Sequence, residues 1–362
     1  SSNKGFWIKN IVDVVRRDFT LKILLSLWLV RIVSIKNSLN LNASLDLLLF
    51  YSSILVLYLI LKYFFENQKK TLDQLFNFHL LIVSGVVLYG VLQLIMAFFG
   101  WRLPGVLLGS TFVRIPSTFY DTNHLPAYLL TAFPSLLIMT FYQKIESRRF
   151  FLSILTGLYC LVTLFTFSRS GFLAFSLALT LLSLVFLRRK YWRKLMLILG
   201  TVCLAAVIIY LTSQTQLSIF KRLSSVFNLE DKSTVAHGLL WYGGLQLFTR
   251  SPIIGLGYGS FSEHFRASAI GFQHGLFDPA TTVRIPAHSI WLEVLVETGL
   301  LGSALYLWFM LVVFEKAWRA LRIVVNPKLF LLQVSLLVSF VGLMASGLFY
   351  SYNLEFFWFF IF

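Results

Sequence analysis

The chain has 362 residues, of which 58% are hydrophobic and 13% charged, with a mean hydropathy of +0.79 and a formal net charge of +16. Soluble domains carry about a quarter charged residues, so this composition excludes a soluble protein and defines an integral membrane one. The cation excess fits membrane topology and anionic headgroups rather than nucleic acid, and no zinc-finger spacing or basic recognition helix accompanies it.

Apolar runs at 19–35, 44–63, 77–99, 124–142, 151–167, 171–187, 195–212, 299–315 and 329–350, with a tenth from Phe356 to the chain end, predict an all-α polytopic bundle. Most are near the length that crosses a hydrocarbon core as a helix, giving about ten to twelve spans. No Met opens the sequence and the last residues are still apolar, which points to a chain trimmed at one or both ends. No small-residue cleavage site marks a signal peptide after the first run. The two cysteines, Cys160 and Cys203, fall inside predicted spans, so they read as core packing rather than a disulfide framework or metal cluster.

Orientation follows from the cations. With a cytoplasmic N-terminus, 20 of the 31 Lys and Arg fall on the inner segments, among them Arg16, Arg17, Lys62, Arg148, Arg149, Arg188 to Lys190 and Lys316. The longest polar stretch, 213–288, is thereby placed on the extracytoplasmic face. Two shorter polar elements share that face. One is the 100–124 loop with Arg102, Arg114, Pro116, Asp121, Asn123 and His124, in which Asn123 is placed to cap the next helix. The other is the tight turn Ser168-Arg169-Ser170-Gly171, whose guanidinium needs an anionic partner or water at that depth, or snorkels to headgroups.

Within the long stretch, Ser233 to Phe248 has the periodicity of a helix lying on the membrane plane, with His237 and Trp241 on it. Arg250-Ser251-Pro252 breaks it, and Gly255-x-Gly257-x-Gly259 follows, enclosing Tyr258. No parallel-sheet context precedes those glycines, so they read as turn-makers rather than a nucleotide fingerprint. A helix is then expected from His288, with Trp291, Glu293 and Glu297 in its first turns. Glu293 and Glu297 share a face, and no His-Glu-x-x-His zinc motif is present.

These residues resemble the bacterial O-antigen ligase and polymerase superfamily. The resemblance is carried by Arg169-Ser170-Gly171-Phe172-Leu173, by Ser251-Pro252-Ile253-Ile254-Gly255-Leu256-Gly257-Tyr258-Gly259-Ser260-Phe261, and by His288-x-x-x-Leu292-Glu293 followed by Glu297-x-Gly299-x-x-Gly302. It implies a shared domain over 150–315, preceded by N-terminal helices (1–150) and followed by C-terminal ones (316–362). In one departure, His237 stands where relatives carry an arginine four residues before the tryptophan of the long-loop helix. Arg222, Arg250, Arg266 or Arg284 could supply that cation.

The resemblance implies glycosyl transfer from an undecaprenyl-diphosphate-linked glycan to an acceptor hydroxyl at the outer face of the bacterial inner membrane. His288 would be the general base and Arg169 would stabilise the diphosphate leaving group. Arg114, His237, Arg250, Arg266, Arg284, Trp291 and Tyr258 would bind diphosphate or glycan around one cavity open to the periplasm. No cofactor or metal is called for, since the chain lacks an Asp-x-Asp motif and has 15 Asp and Glu. The acceptor would be lipid A-core in a ligase, a growing glycan in a polymerase, or a protein in a further relative. A polysaccharide or lipid transporter is the alternative from another class. It predicts charged residues along a path within the spans, for which Arg31 and Asp46 are the candidates.

Overall fold

The computed structural model describes residues 18–67, 70–101, 103–108, 113–119, 121–188, 232–268, 270 and 285–351. Seven helices among them are long and apolar enough to cross a membrane. The apolar runs expected at 195–212 and 356–362 lie outside the described residues. The chain divides into two compact units, one drawn from residues 1–72, 232–316 and 348–362, the other from 73–231 and 317–347.

The first unit begins with α1 (Phe19–Ser34), a 3-10 turn at Ile35–Asn37, and α2 (Leu41–Asn67). Asp18 caps α1 by accepting from the Thr20 N–H at 2.9 Å, and its carboxylate also holds the Lys62 ammonium of α2 at 2.8 Å and the Tyr58 hydroxyl. A buried carboxylate is tolerable only when matched in this way. After the long-loop helix α7 (Lys232–Phe248) come the short α8 (Phe261–Arg266) and α9 (Ile290–Ile323), of which residues through Lys316 belong to this unit.

Gly299 breaks α9 with φ +66° and ψ −165°. The break leaves backbone groups of α9 without helical partners, and the Ser251–Gly257 loop takes them up. Leu256 and Gly257 donate to the carbonyls of Val296 and Glu297 at 2.8 and 3.1 Å, while Leu300 and Leu301 donate to Pro252 and Ile253 at 2.8 and 3.2 Å. The apolar run expected at 299–315 is thus the part of a longer helix that follows the break.

The second unit holds α3 (Lys70–Phe98) from Asp73 onward, α4 (His124–Tyr142), α5 (Glu146–Phe165), α6 (Arg169–Arg188) and α10 (Pro327–Ser346). Its centre is α4, 78% buried against 22% for Phe76–Phe98, with α5, α6 and α10 packed on it. Small residues allow the close approach: a Cβ on Gly171 of α6 would meet Pro126 at 2.6 Å, and one on Gly342 of α10 would meet Leu130 at 2.7 Å. Hydroxyl pairs tie the same helices, Ser135 to Ser335 at 2.7 Å and Thr140 to Thr156 at 3.2 Å. Small contact residues and interhelical hydrogen bonds are how helices associate where lipid removes the hydrophobic drive.

A two-residue antiparallel ladder, β1 (Leu107–Leu108) with β2 (Val113–Arg114), crosses the 100–124 loop. Buried Gln93 of α3 holds this loop, donating to the carbonyls of Pro104 (2.8 Å) and Ser117 (3.1 Å) and accepting from the Ser117 N–H (2.9 Å).

Candidate active site

In the first unit the site is built where α7 meets the start of α9. Positions 237, 240, 244 and 247 lie on one face of α7 by helical spacing. Leu240 and Leu247 are buried there with Leu292 and Val296 of α9. Gly244 lets the helices close, since a Cβ on it would lie 2.7 Å from Leu292. His237, two turns before Gly244, meets His288 at the same seam with ring centroids 4.4 Å apart and planes at 48°. The Tyr350 ring adjoins His288 at 5.5 Å.

The sequence predicts a helix beginning at His288, but α9 starts at Ile290 and His288 adopts φ +50°, a left-handed residue just outside it. Such a conformation costs a non-glycine residue about 1 kcal/mol or more and persists only where its surroundings impose it. The surroundings are visible. The Ala287 N–H donates to Glu293 at 3.4 Å, the Ser289 hydroxyl accepts from the Leu292 N–H at 3.4 Å, and the Ile290 N–H donates to the Tyr350 carbonyl at 3.3 Å. The two motif carboxylates therefore divide the work. Glu293 holds the segment that presents His288, and Glu297 accepts from the Phe261 N–H at 3.2 Å, an anion at the start of α8 where the Ser260 side chain makes no cap.

The three loop glycines all have positive φ, +79°, +112° and +79°. A Cβ on Gly255 would lie 2.3 Å from the Glu297 backbone, and one on Gly257 would lie 2.7 Å from Ser38. They serve close backbone packing, in line with the turn-making reading. Tyr258 stacks on the Arg31 guanidinium, and Trp291 packs edge-on to Tyr306 at 5.3 Å. Arg250 is exposed in the turn after α7, and Arg266 is half-buried at the end of α8. Arg284 and Arg222 lie outside the described residues, as does Arg102. His264, which the sequence did not single out, is buried with Nε2 2.9 Å from the Leu256 carbonyl and 3.1 Å from that of Asn37. It braces the glycine loop.

In the second unit Arg169 opens α6 two residues after Phe167, another left-handed residue at φ +52°. Arg114 reaches the same turn. Its Nε donates to the Thr166 carbonyl at 3.1 Å, and the neighbouring Ile115 N–H donates to Phe165 at 3.1 Å. Two guanidinium groups 55 positions apart are thus carried by one turn, where a helix N-terminus adds positive character. Asn123 occupies the cap position of α4 without capping it, its side chain donating instead to Asp121 at 3.0 Å.

Fold and site define a multi-pass helical membrane protein whose polar side chains gather at helix starts and at one deliberate helix break. Residues 151–307 match the O-antigen ligase family, which supports the O-antigen ligase and polymerase superfamily. The matched stretch contains Arg169, the glycine loop and His288. No curated protein matches the chain.

Proposed function

We propose that this protein is an O-antigen ligase, transferring a glycan from undecaprenyl diphosphate to a sugar hydroxyl of lipid A-core at the periplasmic face of the inner membrane. The observation that carries the reading is the His237–His288 pair, with ring centroids 4.4 Å apart inside the matched family domain. His288 takes the proton of the acceptor hydroxyl as its oxygen attacks the anomeric carbon, a general-base contribution of about 10²–10⁴-fold. The bond from that carbon to the diphosphate oxygen breaks in the same displacement, inverting the centre. Charge developing on the diphosphate calls for cations, the role that the resemblance gives to Arg169 and Arg114. No metal or cofactor takes part in this reading. His237 stands where relatives carry an arginine, with its ring 4.4 Å from that of His288.

Purified protein supplied with lipid-linked glycan and, in turn, lipid A-core or a second lipid-linked glycan tests the assignment. Glycan on lipid A-core is the expected product. Longer lipid-linked chains would make the protein a polymerase of the same superfamily, and no transfer to either would refute the reading.

A further inference from the structure

His288 stands two residues before α9 with φ +50°, outside the helical turns whose regular packing restricts side-chain rotamers. Its imidazole is half-buried and meets two rings, that of His237 on α7 at 4.4 Å and that of Tyr350 at 5.5 Å with planes at 53°. Tyr350 lies beyond residue 307, where the matched stretch ends. It sits in the described residues 348–351, which follow α10 in sequence and belong to the first unit.

This short segment touches both walls of the seam. Phe349 stacks on Trp241 of α7, with centroids 6.1 Å apart and planes at 20°, and Trp241 comes one helical turn after His237. On the other wall the Tyr350 carbonyl accepts from the N–H of Ile290, the first residue of α9, at 3.3 Å. An N–H at that position has no partner within its own helix, so the segment caps α9 while it packs on α7. The Tyr350 side chain is buried, 4% exposed. A catalytic group has to be held to about 0.5 Å by neighbours whose own rotamers are locked by packing. A buried tyrosine, tied to α9 through its carbonyl and adjacent in sequence to the Phe349–Trp241 stack, is such a neighbour.

We propose that Tyr350 is a positioning residue for His288: its ring fixes the orientation of the imidazole, and Phe349 clasps the segment that carries it to α7. Sequence beyond the matched family domain thereby completes the site. The proposal rests on the reading of His288 as the general base, but the fixing of the imidazole is a property of the folded chain and is measured apart from transfer.

Tyr350→Leu removes the ring, and Tyr350→Phe keeps it. Tyr350→Met is run beside the leucine variant, so that a folding failure of one leaves the test standing. In detergent-purified protein carrying isotope-labelled histidine, the His288 ring signal is identified by its loss in His288→Gln, and its relaxation reports ring order. Tyr350→Leu and Tyr350→Met should loosen that ring and lower kcat about ten- to a hundredfold, the scale of a small misplacement, with KM for the lipid-linked glycan within about twofold. Tyr350→Phe should match the wild type in both. A residue that merely stabilises the fold would lower the melting temperature without this split between kcat and KM. A His288 ring as ordered in Tyr350→Leu and Tyr350→Met as in the wild type overturns the proposal, and so does a loosened ring with kcat unchanged. A ring loosened by leucine and methionine but not by phenylalanine, in a protein that transfers glycan to neither acceptor, upholds the fixing of His288 and counts only against the ligase reading.

Discussion

At the residue scale, His288 combines a left-handed backbone with an imidazole neighbour, and each partner can be removed separately. Replacing His237 with Gln keeps a polar side chain but removes the ring that packs on His288, and the expected result is a fall in transfer of about tenfold, the scale of one hydrogen bond. An unchanged rate would deny His237 any part in transfer. Asp18 makes a different prediction. Burial alone would raise the pKa of its carboxyl, but hydrogen bonds from Lys62 and Tyr58 and the charges of Lys62 and Lys316 outweigh that and hold it below the usual value. A lowered folded-state pKa means stabilisation that is present above about pH 4, where the unfolded carboxyl is ionised, and lost as pH falls through the folded value. Asp18→Asn should therefore cost about 2 kcal/mol at neutral pH, between an exposed pair and a buried one. The gap from wild type, read from thermal melts in detergent, should close only in acid below that pH. A constant gap would mean that the charge is irrelevant.

At the element scale, the motifs of the matched domain are joints between elements. Gly255 and Gly299 each have positive φ, and a Cβ on either would lie 2.3 Å from the other strand of the joint. Gly255→Ala and Gly299→Ala should each cost about 2–4 kcal/mol, combining overpacking with left-handed strain. A melting temperature unchanged in both would contradict the joint. Much of this level was legible in the sequence. Run lengths placed the described spans, and apolar spacing gave the helix from Lys232 to Phe248 nearly to the residue. The break in α9 was less legible, because Gly299 inside an apolar run looks like any tolerated glycine until the loop that pairs with it is seen. His237 on α7 and His288 just before α9 are 51 positions apart, and periodicity speaks only to faces within one helix. Gln93, which ties down the 100–124 loop, carried no signal at all, since a lone amide in a span is indistinguishable from a tolerated polar residue.

At the scale of the whole molecule, the charge distribution is a claim about sidedness. With Cys160 and Cys203 replaced, Arg250→Cys should react with an impermeant maleimide in cells whose outer membrane alone is opened. Arg149→Cys, exposed at the start of α5, should react only after the inner membrane is breached. The reverse pattern would invert the topology and put the chemistry on the wrong side.

The most direct measurement for the catalytic assignment is single-turnover transfer by His288→Ala beside its affinity for undecaprenyl-diphosphate-linked glycan. A general base predicts transfer slowed by about 10²–10⁴-fold with donor affinity within a few-fold of wild type. Transfer at the wild-type rate, or a loss explained entirely by lost donor binding, would contradict it.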